Sequence, residues 1–178
     1  MDATNHLKAS LAAAVGLSNL FGAEMRQGRV ANAPTAEAIR EVLLLTTNRL
    51  PELIVDDYAA GGRLLYDAFS SLPDVDPAVD LVNRLLIDTQ AAPRLTRREG
   101  TPWHLHFGSP DEARGWLAEF ATAAAMLLGS DEKERLRKCE AARCDNLFLD
   151  STRNRTQRFC STACQNRTKV AAHRARTA

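Results

Sequence analysis

Cys139, Cys144, Cys160 and Cys164 are the only cysteines in this 178-residue chain, and all lie in its last forty residues. Their spacing, C-x4-C-x15-C-x3-C, groups them as two close pairs, a pattern that suits a metal better than a disulfide framework. Zinc in a structural site takes four soft ligands in a closed tetrahedron, and two such pairs can supply them with little backbone strain. The segment CEAARC can turn Cys139 back toward Cys144. Cys160 and Cys164, at i and i+4, project from one face of a helix's first turn. Four protein sulfurs leave no position for water or substrate, so the expectation is one structural Zn2+ and no catalysis at the metal. Unliganded thiols and a redox role are the rival readings, and the chain has no CxxC to support the latter.

What surrounds the cysteines is basic. From residue 137 onward ten Lys/Arg stand against three Asp/Glu, whereas residues 1–136 hold thirteen against nineteen. The formal net charge of +1 therefore hides a basic end joined to an acidic body, an asymmetry expected of a polyanion-binding module. Candidate nucleic-acid contacts are Arg153, Asn154, Arg155 and Arg158 before the third cysteine, then Asn166, Arg167, Lys169 and Arg174 after the fourth. Arginine clamps phosphate or reads guanine edges, and asparagine can read adenine. Asn166 and Arg167 have a second reading, as braces for the finger's own backbone, because residues beside a ligand often support it.

These side chains need a scaffold. Leu147-Phe148-Leu149 and Arg158-Phe159 read as two short strands joined by the polar loop 150–157. Asp150 is placed to bond that loop as an Asx-type residue or to pair with an arginine. Phe148, Phe159 and Val170 would form a miniature core, too small to fold unaided, so metal binding would supply much of the folding free energy. The resulting order of knuckle, hairpin and ligand-bearing helix is treble-clef-like.

The preceding residues read as mostly helical. Residues 6–22 are weakly apolar, 28–34 form a loop, and Thr35 caps a helix from Ala36 with Ile39, Val42, Leu43 and Leu50 on one face and Pro51 at its end. A helical region over 52–71 has Gly61-Gly62 as its expected break. Asp76-Pro77 reads as an N-cap followed by an N1 proline, opening a helix with Val79, Val82, Leu85 and Leu86 inward. Over 93–107 the period changes to that of a β-hairpin, with Glu99-Gly100 as the turn and Pro102 at an edge. His104 and His106 fall on one side of its second arm, which reads as an exposed face, with metal or ligand binding the other reading. Ser109-Pro110-Asp111-Glu112 then opens a helix whose stripe is Ala113, Trp116, Leu117, Phe120, Ala124, Leu127 and Leu128. A charged helical connector over 131–138 leads into the cysteines. The layout gives a body over 1–130, the connector, and a finger with a basic helix over 139–178. The fold class is mainly α with a small β-hairpin (α+β), plus a C-terminal treble-clef-like zinc finger with four cysteine ligands.

The string from Cys139 to Lys169 resembles the CGNR zinc finger, a family named for its last cysteine followed by Gly-Asn-Arg. Phe148, Asp150, Thr152, Arg153, Asn154, Cys160, Ser161, Cys164, Asn166, Arg167 and Lys169 match its pattern. Gln165 replaces the glycine, forgoing any positive φ that residue could supply, and Phe159 replaces the usual tryptophan. In that family the finger follows an ABATE-type domain, which residues 1–130 resemble in their order of elements. Members are described as stress-related transcription regulators. The resemblance implies DNA binding by the finger, with the helical domain as a sensing or dimerising unit.

The expected function is thus a zinc-dependent DNA-binding transcriptional regulator. An RNA-binding protein and a protein-interaction module with a purely structural finger are the alternatives. No nucleophile–base set or Gly-rich phosphate loop suggests an enzyme. Residues 9–23 faintly resemble a secretory apolar region, but Asp2 and two glycines weaken it, and no apolar run reaches the ~18–20 residues of a spanning helix. A cytoplasmic protein without membrane contact is expected. A homodimer, and a small-molecule effector near Trp103 and Trp116, stay open, although two tryptophans also suit a core.

Overall fold

The computed structural model describes residues 3–47, 50, 52–97, 103–108 and 112–177. Its elements run α1 (Ala3–Gly22), β1 (Met25–Arg26), β2 (Arg29–Val30), α2 (Ala36–Leu43), α3 (Val55–Ser70), α4 (Val75–Thr89), β3 (Arg94–Thr96), β4 (His104–His106) and α5 (Ala113–Leu128). A 3-10 turn at Lys133–Arg135 follows, then β5 (Leu136–Lys138), β6 (Leu147–Leu149) and α6 (Thr162–Thr177). The strands form three separate antiparallel pairs, β1–β2, β3–β4 and β5–β6. No described helix is long and apolar enough to cross a membrane.

The core lies between α1, α3, α4 and α5. On α5 the expected stripe is inward, with Phe120, Ala121 and Ala124 fully buried. The weakly apolar segment 6–22 is α1, and its Ala13, Ala14 and Leu17 are equally buried. Small residues there let neighbouring helices approach closely. The same logic corrects the expected break at Gly61-Gly62, because α3 runs through both without interruption. A Cβ on Gly61 would stand 2.5 Å from a Leu117 methyl, and one on Gly62 2.5 Å from the Phe21 ring. Both glycines are there for close approach.

Thr35 caps α2 as expected, accepting a hydrogen bond from Ala38 N at 3.2 Å. That helix stops at Leu43, however, so Leu50 packs on the core from outside it, and Pro51 lies outside the described residues. α4 starts at Val75 with Asp74 at the cap position, so Asp76-Pro77 falls inside its first turn and does not open it. Its Val82 and Leu85 are buried as expected, but Val79 lies at the surface. β3 and β4 pair in the register Arg94↔His106, Leu95↔Leu105 and Thr96↔His104. The Glu99-Gly100 turn, Pro102 and the Ser109-Pro110-Asp111 cap fall outside the described residues. Glu112 occupies the position before α5 without a side-chain cap bond. Trp116 is buried beside Phe120, while Trp103 is exposed.

Two corrections concern the route into the cysteines. The connector 131–138 is not helical throughout: after the 3-10 turn, Leu136–Lys138 is a strand. It also takes the place expected of Arg158-Phe159, pairing Leu136↔Leu149, Arg137↔Phe148 and Lys138↔Leu147. Leu136 and Leu147 reach the main core and so weld this hairpin to the helices, an advantage a hairpin within the finger would lack.

Candidate metal centre and nucleic-acid surface

The turn of the β5–β6 hairpin is itself the first cysteine pair. Cys139 N donates to Asn146 O at 2.9 Å, and Arg143 takes a left-handed conformation, φ 56°, which swings Cys144 back beside Cys139. The second pair opens α6. Ser161 Oγ accepts from Cys164 N at 3.3 Å, an N-cap that holds Cys160 and Cys164 on one turn. Gln165 sits inside this helix, its N–H bonded to Ser161 O at 3.1 Å, and is not among the positive-φ residues. The substitution of glycine therefore sacrifices no needed backbone conformation.

All four sulfurs lie within 4.8 Å of one another. Cys144 to Cys160 is 3.8 Å and Cys160 to Cys164 is 3.7 Å. A tetrahedron built on Zn–S bonds of about 2.3 Å has edges of about 3.8 Å, so the cluster fits the ion. Each sulfur also faces at least one N–H donor. Cys160 N approaches Cys139 Sγ at 3.4 Å, and Gln27 N approaches Cys144 Sγ at 3.4 Å. Asn146 Nδ2 lies 3.7 Å from Cys160 Sγ, and Arg167 Nη2 lies 3.7 Å from Cys164 Sγ. Such donors stabilise thiolate charge. Burial, and then the neighbouring sulfurs of Cys139 and Cys144, push the Cys160 thiol up, so four thiolates here require a cation. Cys139, Cys144, Cys160 and Cys164 would hold it, and its role there is structural.

The loop after β6 is built around Asp150, whose side chain is fully buried. It accepts from Thr152 N at 2.8 Å, Thr152 Oγ1 at 2.5 Å and Gln157 N at 2.8 Å, with Arg137 3.7 Å away. Burial opposes its charge, but these donors and the guanidinium hold its pKa below the ordinary carboxylate value. Both roles expected of Asp150 are filled. Phe148 is buried and Phe159 packs on the cysteines, whereas Val170 is half exposed and outside the small core expected of it. From Lys169 to Thr177 every residue of α6 is exposed, Val170 among them.

The eight expected nucleic-acid residues divide. Arg155 donates to Glu134 and Glu132, both at 2.9 Å, and Arg158 bonds Glu140 at 2.6 Å. Arg167 donates to Ala142 O at 2.9 Å as well as meeting Cys164, and its guanidinium lies across Gly28. Gly28 has φ +91°, and a Cβ there would sit 3.1 Å from Arg167 Nη1. Arg153, Asn154, Asn166, Lys169 and Arg174 are exposed, with no side-chain partner among the described residues. Apart from Cys164, no described residue of α6 is fully buried.

Several residues with parts in this site lay beyond the sequence patterns. Segment 28–34, expected as a loop, belongs in part to a hairpin, β1–β2, that grips the cysteine turn. Gly28 N donates to Arg143 O at 2.9 Å, Asp145 N to Met25 O at 2.7 Å, and Met25 N to Asp145 Oδ2 at 2.9 Å. From α1, Asn19 pairs with the Leu147 backbone in both directions, at 2.9 and 2.8 Å. Tyr66 Oη on α3 donates to Asp145 O at 2.9 Å. Gln27-Gly28 was the available signal, since positive φ at both residues (52° and 91°) marks a tight hairpin turn. Asn19 and Tyr66 gave none.

No curated protein matches the chain. Residues 135–177 match the CGNR zinc finger, and residues 11–131 match ABATE, a family described as putative stress-induced transcription regulator. The chain belongs to the ABATE family and carries a CGNR zinc finger behind that domain.

Proposed function

We propose that this chain is a zinc-dependent DNA-binding transcriptional regulator holding one structural Zn2+. Its finger contacts DNA through α6 and residues 153–154, while the helical domain senses a ligand or pairs with a second copy. The observation that carries the reading is α6 itself. This sixteen-residue helix, about 24 Å long at 1.5 Å per residue, buries Cys164 and leaves Lys169, His173, Arg174 and Arg176 in solvent. A helix with a polar surface all round gains little stability from its own packing. Its Lys169, Arg174 and Arg176 have no side-chain partner among the described residues, whereas Arg155 and Arg158 at the finger's base are matched to carboxylates, and a major groove or phosphate backbone would supply the missing anions. The matched families are regulatory and zinc-binding in description, not enzymatic.

Structured RNA offers the same charges, so the test compares the two. Zinc-loaded protein titrated with duplex DNA and with structured RNA at matched salt should bind the duplex more tightly. The duplex affinity should fall linearly in log–log form between about 50 and 200 mM salt. Absent duplex binding, or tighter RNA binding, overturns the reading.

A further inference from the structure

A second donor cluster lies far from the cysteines. His6 comes from α1, His106 from β4 and Glu119 from the buried face of α5, and their ligand atoms lie within 4.8 Å of one another. His106 thus departs from the exposed face expected of it: its side chain is 22% exposed and turned toward Glu119. His6 Nε2 is 2.8 Å from Glu119 Oε1, and His106 Nδ1 is 3.8 Å from Glu119 Oε2. The two imidazoles meet edge to face, with centroids 5.4 Å apart.

We infer that His6, His106 and Glu119 form a binding site for a divalent first-row transition-metal ion, separate from the zinc finger. Two imidazoles and one carboxylate are a donor set that Zn2+ and its neighbours take readily, and three protein ligands leave positions open for water or a further ligand. Donors about 2.1 Å from a common ion stand roughly 3.0–3.4 Å apart. The distances of 2.8 and 3.8 Å bracket that range, so sub-ångström side-chain adjustments suffice.

The carboxylate is prepared for the role. Ser10 Oγ donates to Glu119 Oε1 at 3.3 Å and Phe107 N to Oε2 at 3.1 Å, which fixes its orientation from two elements. Burial pushes the Glu119 carboxyl up, but His106, His6 and the Phe107 amide together outweigh it and hold the pKa at about 2. The group is therefore anionic at neutral pH. Both histidine side chains keep about a fifth of their surface in solvent, 23% for His6 and 22% for His106, which leaves an entry path. An ion there would tie the start of α1 and the β3–β4 hairpin to the central helix.

The test uses the full chain with its finger already loaded with zinc. Added Co2+ should bind as a further equivalent, counted by elemental analysis after desalting. Its absorption should lack the intense thiolate charge-transfer bands of cobalt in a cysteine site. Paramagnetic shifts should reach the imidazole signals of two of the four histidines. His6→Gln and, separately, His106→Gln should each weaken this binding at least tenfold while leaving the finger zinc and the helical circular dichroism unchanged. The proposal is overturned if the wild type takes up no further equivalent, if the bound cobalt shows thiolate bands, or if both variants retain wild-type affinity. If a variant unfolds, the wild-type spectrum and the number of shifted imidazoles decide alone. Neither readout involves nucleic acid, so the result is independent of the DNA-binding proposal.

Discussion

The two sides of the finger use the same kinds of residue for opposite purposes. On the side facing the helical body, polar groups have partners across the junction: Asn19 with Leu147, Tyr66 and Met25 with Asp145, and Gly28 with Arg143. On the outer side, Arg153, Asn154, Lys169 and Arg174 are exposed and unmatched among the described residues. Basic composition alone does not distinguish these sets. What separates them is whether a carbonyl, a carboxylate or a sulfur already lies within hydrogen-bond reach. Arg155, Arg158 and Arg167 belong with the inner set by that criterion. The lesson is that much of a basic finger's charge can be committed to holding its shape.

Substitutions should break this contrast in a graded way. The largest effect is expected from Cys164→Ser. It removes a fully buried ligand, and metal binding in such small domains is worth on the order of 10 kcal/mol of folding free energy. Zinc should be lost by elemental analysis, and amide exchange should accelerate across residues 139–170. Because Leu136 and Leu147 belong to the main core, protection in α1 and α3 should fall as well. Asn19→Ala comes next, leaving a strand N–H and a carbonyl unpaired at a cost of about 2–3 kcal/mol. Chemical denaturation would measure it, with DNA affinity of the folded protein unchanged.

Arg167→Ala sharpens the division between brace and contact. Loss of a donor to a ligating sulfur should weaken zinc retention against a chelator by about 10–100-fold. Lys169→Ala should leave retention unchanged. Restoring the family's glycine by Gln165→Gly should destabilise α6 by about 1 kcal/mol, since the position is helical and gains nothing from extra freedom. Fraying of the helix by amide exchange would register it.

The smallest effect is a pH dependence on the far side of the molecule. The hydrogen bond to Glu119 raises the His6 pKa against an opposing effect of burial. The stability it contributes is therefore complete below the ordinary value of 6.5 and fades as pH rises through the raised one. With no metal beyond the finger zinc, thermal stability should decline in the wild type as pH rises above the ordinary histidine value of 6.5. His6→Gln should remove that slope. His106 and Glu119 are the titratable groups that face His6, and Glu119, held at about 2, stays ionised throughout this window.

The metal centre was legible in the sequence because its four ligands are local. Cysteine spacing and a helix-start pattern suffice to place Cys139, Cys144, Cys160 and Cys164 together. The stripe of α5 was legible for the same reason, since its period is contained in sixteen residues. What could not be read was non-local. The strand that pairs with Leu147–Leu149 leaves no pattern of its own in the sequence, because β5 is three residues long and charged, and only its packing on the helices selects it. Gly61-Gly62 look like a break until Leu117 and Phe21 are known to press on them. His6 and Glu119 are 113 residues apart, and no spacing rule connects them.

The central claim is that the outer side of the finger, not its matched base, meets DNA. The most direct measurement is the salt dependence of duplex affinity for three zinc-loaded proteins: wild type, the Lys169→Ala/Arg174→Ala double variant, and Arg155→Ala. Each phosphate contact contributes about 0.9 to the slope of log affinity against log salt. The double variant should therefore lose about 1.8 in slope, and Arg155→Ala should keep the wild-type slope. A double variant with unchanged slope and affinity, beside an Arg155→Ala that loses both, would contradict the account.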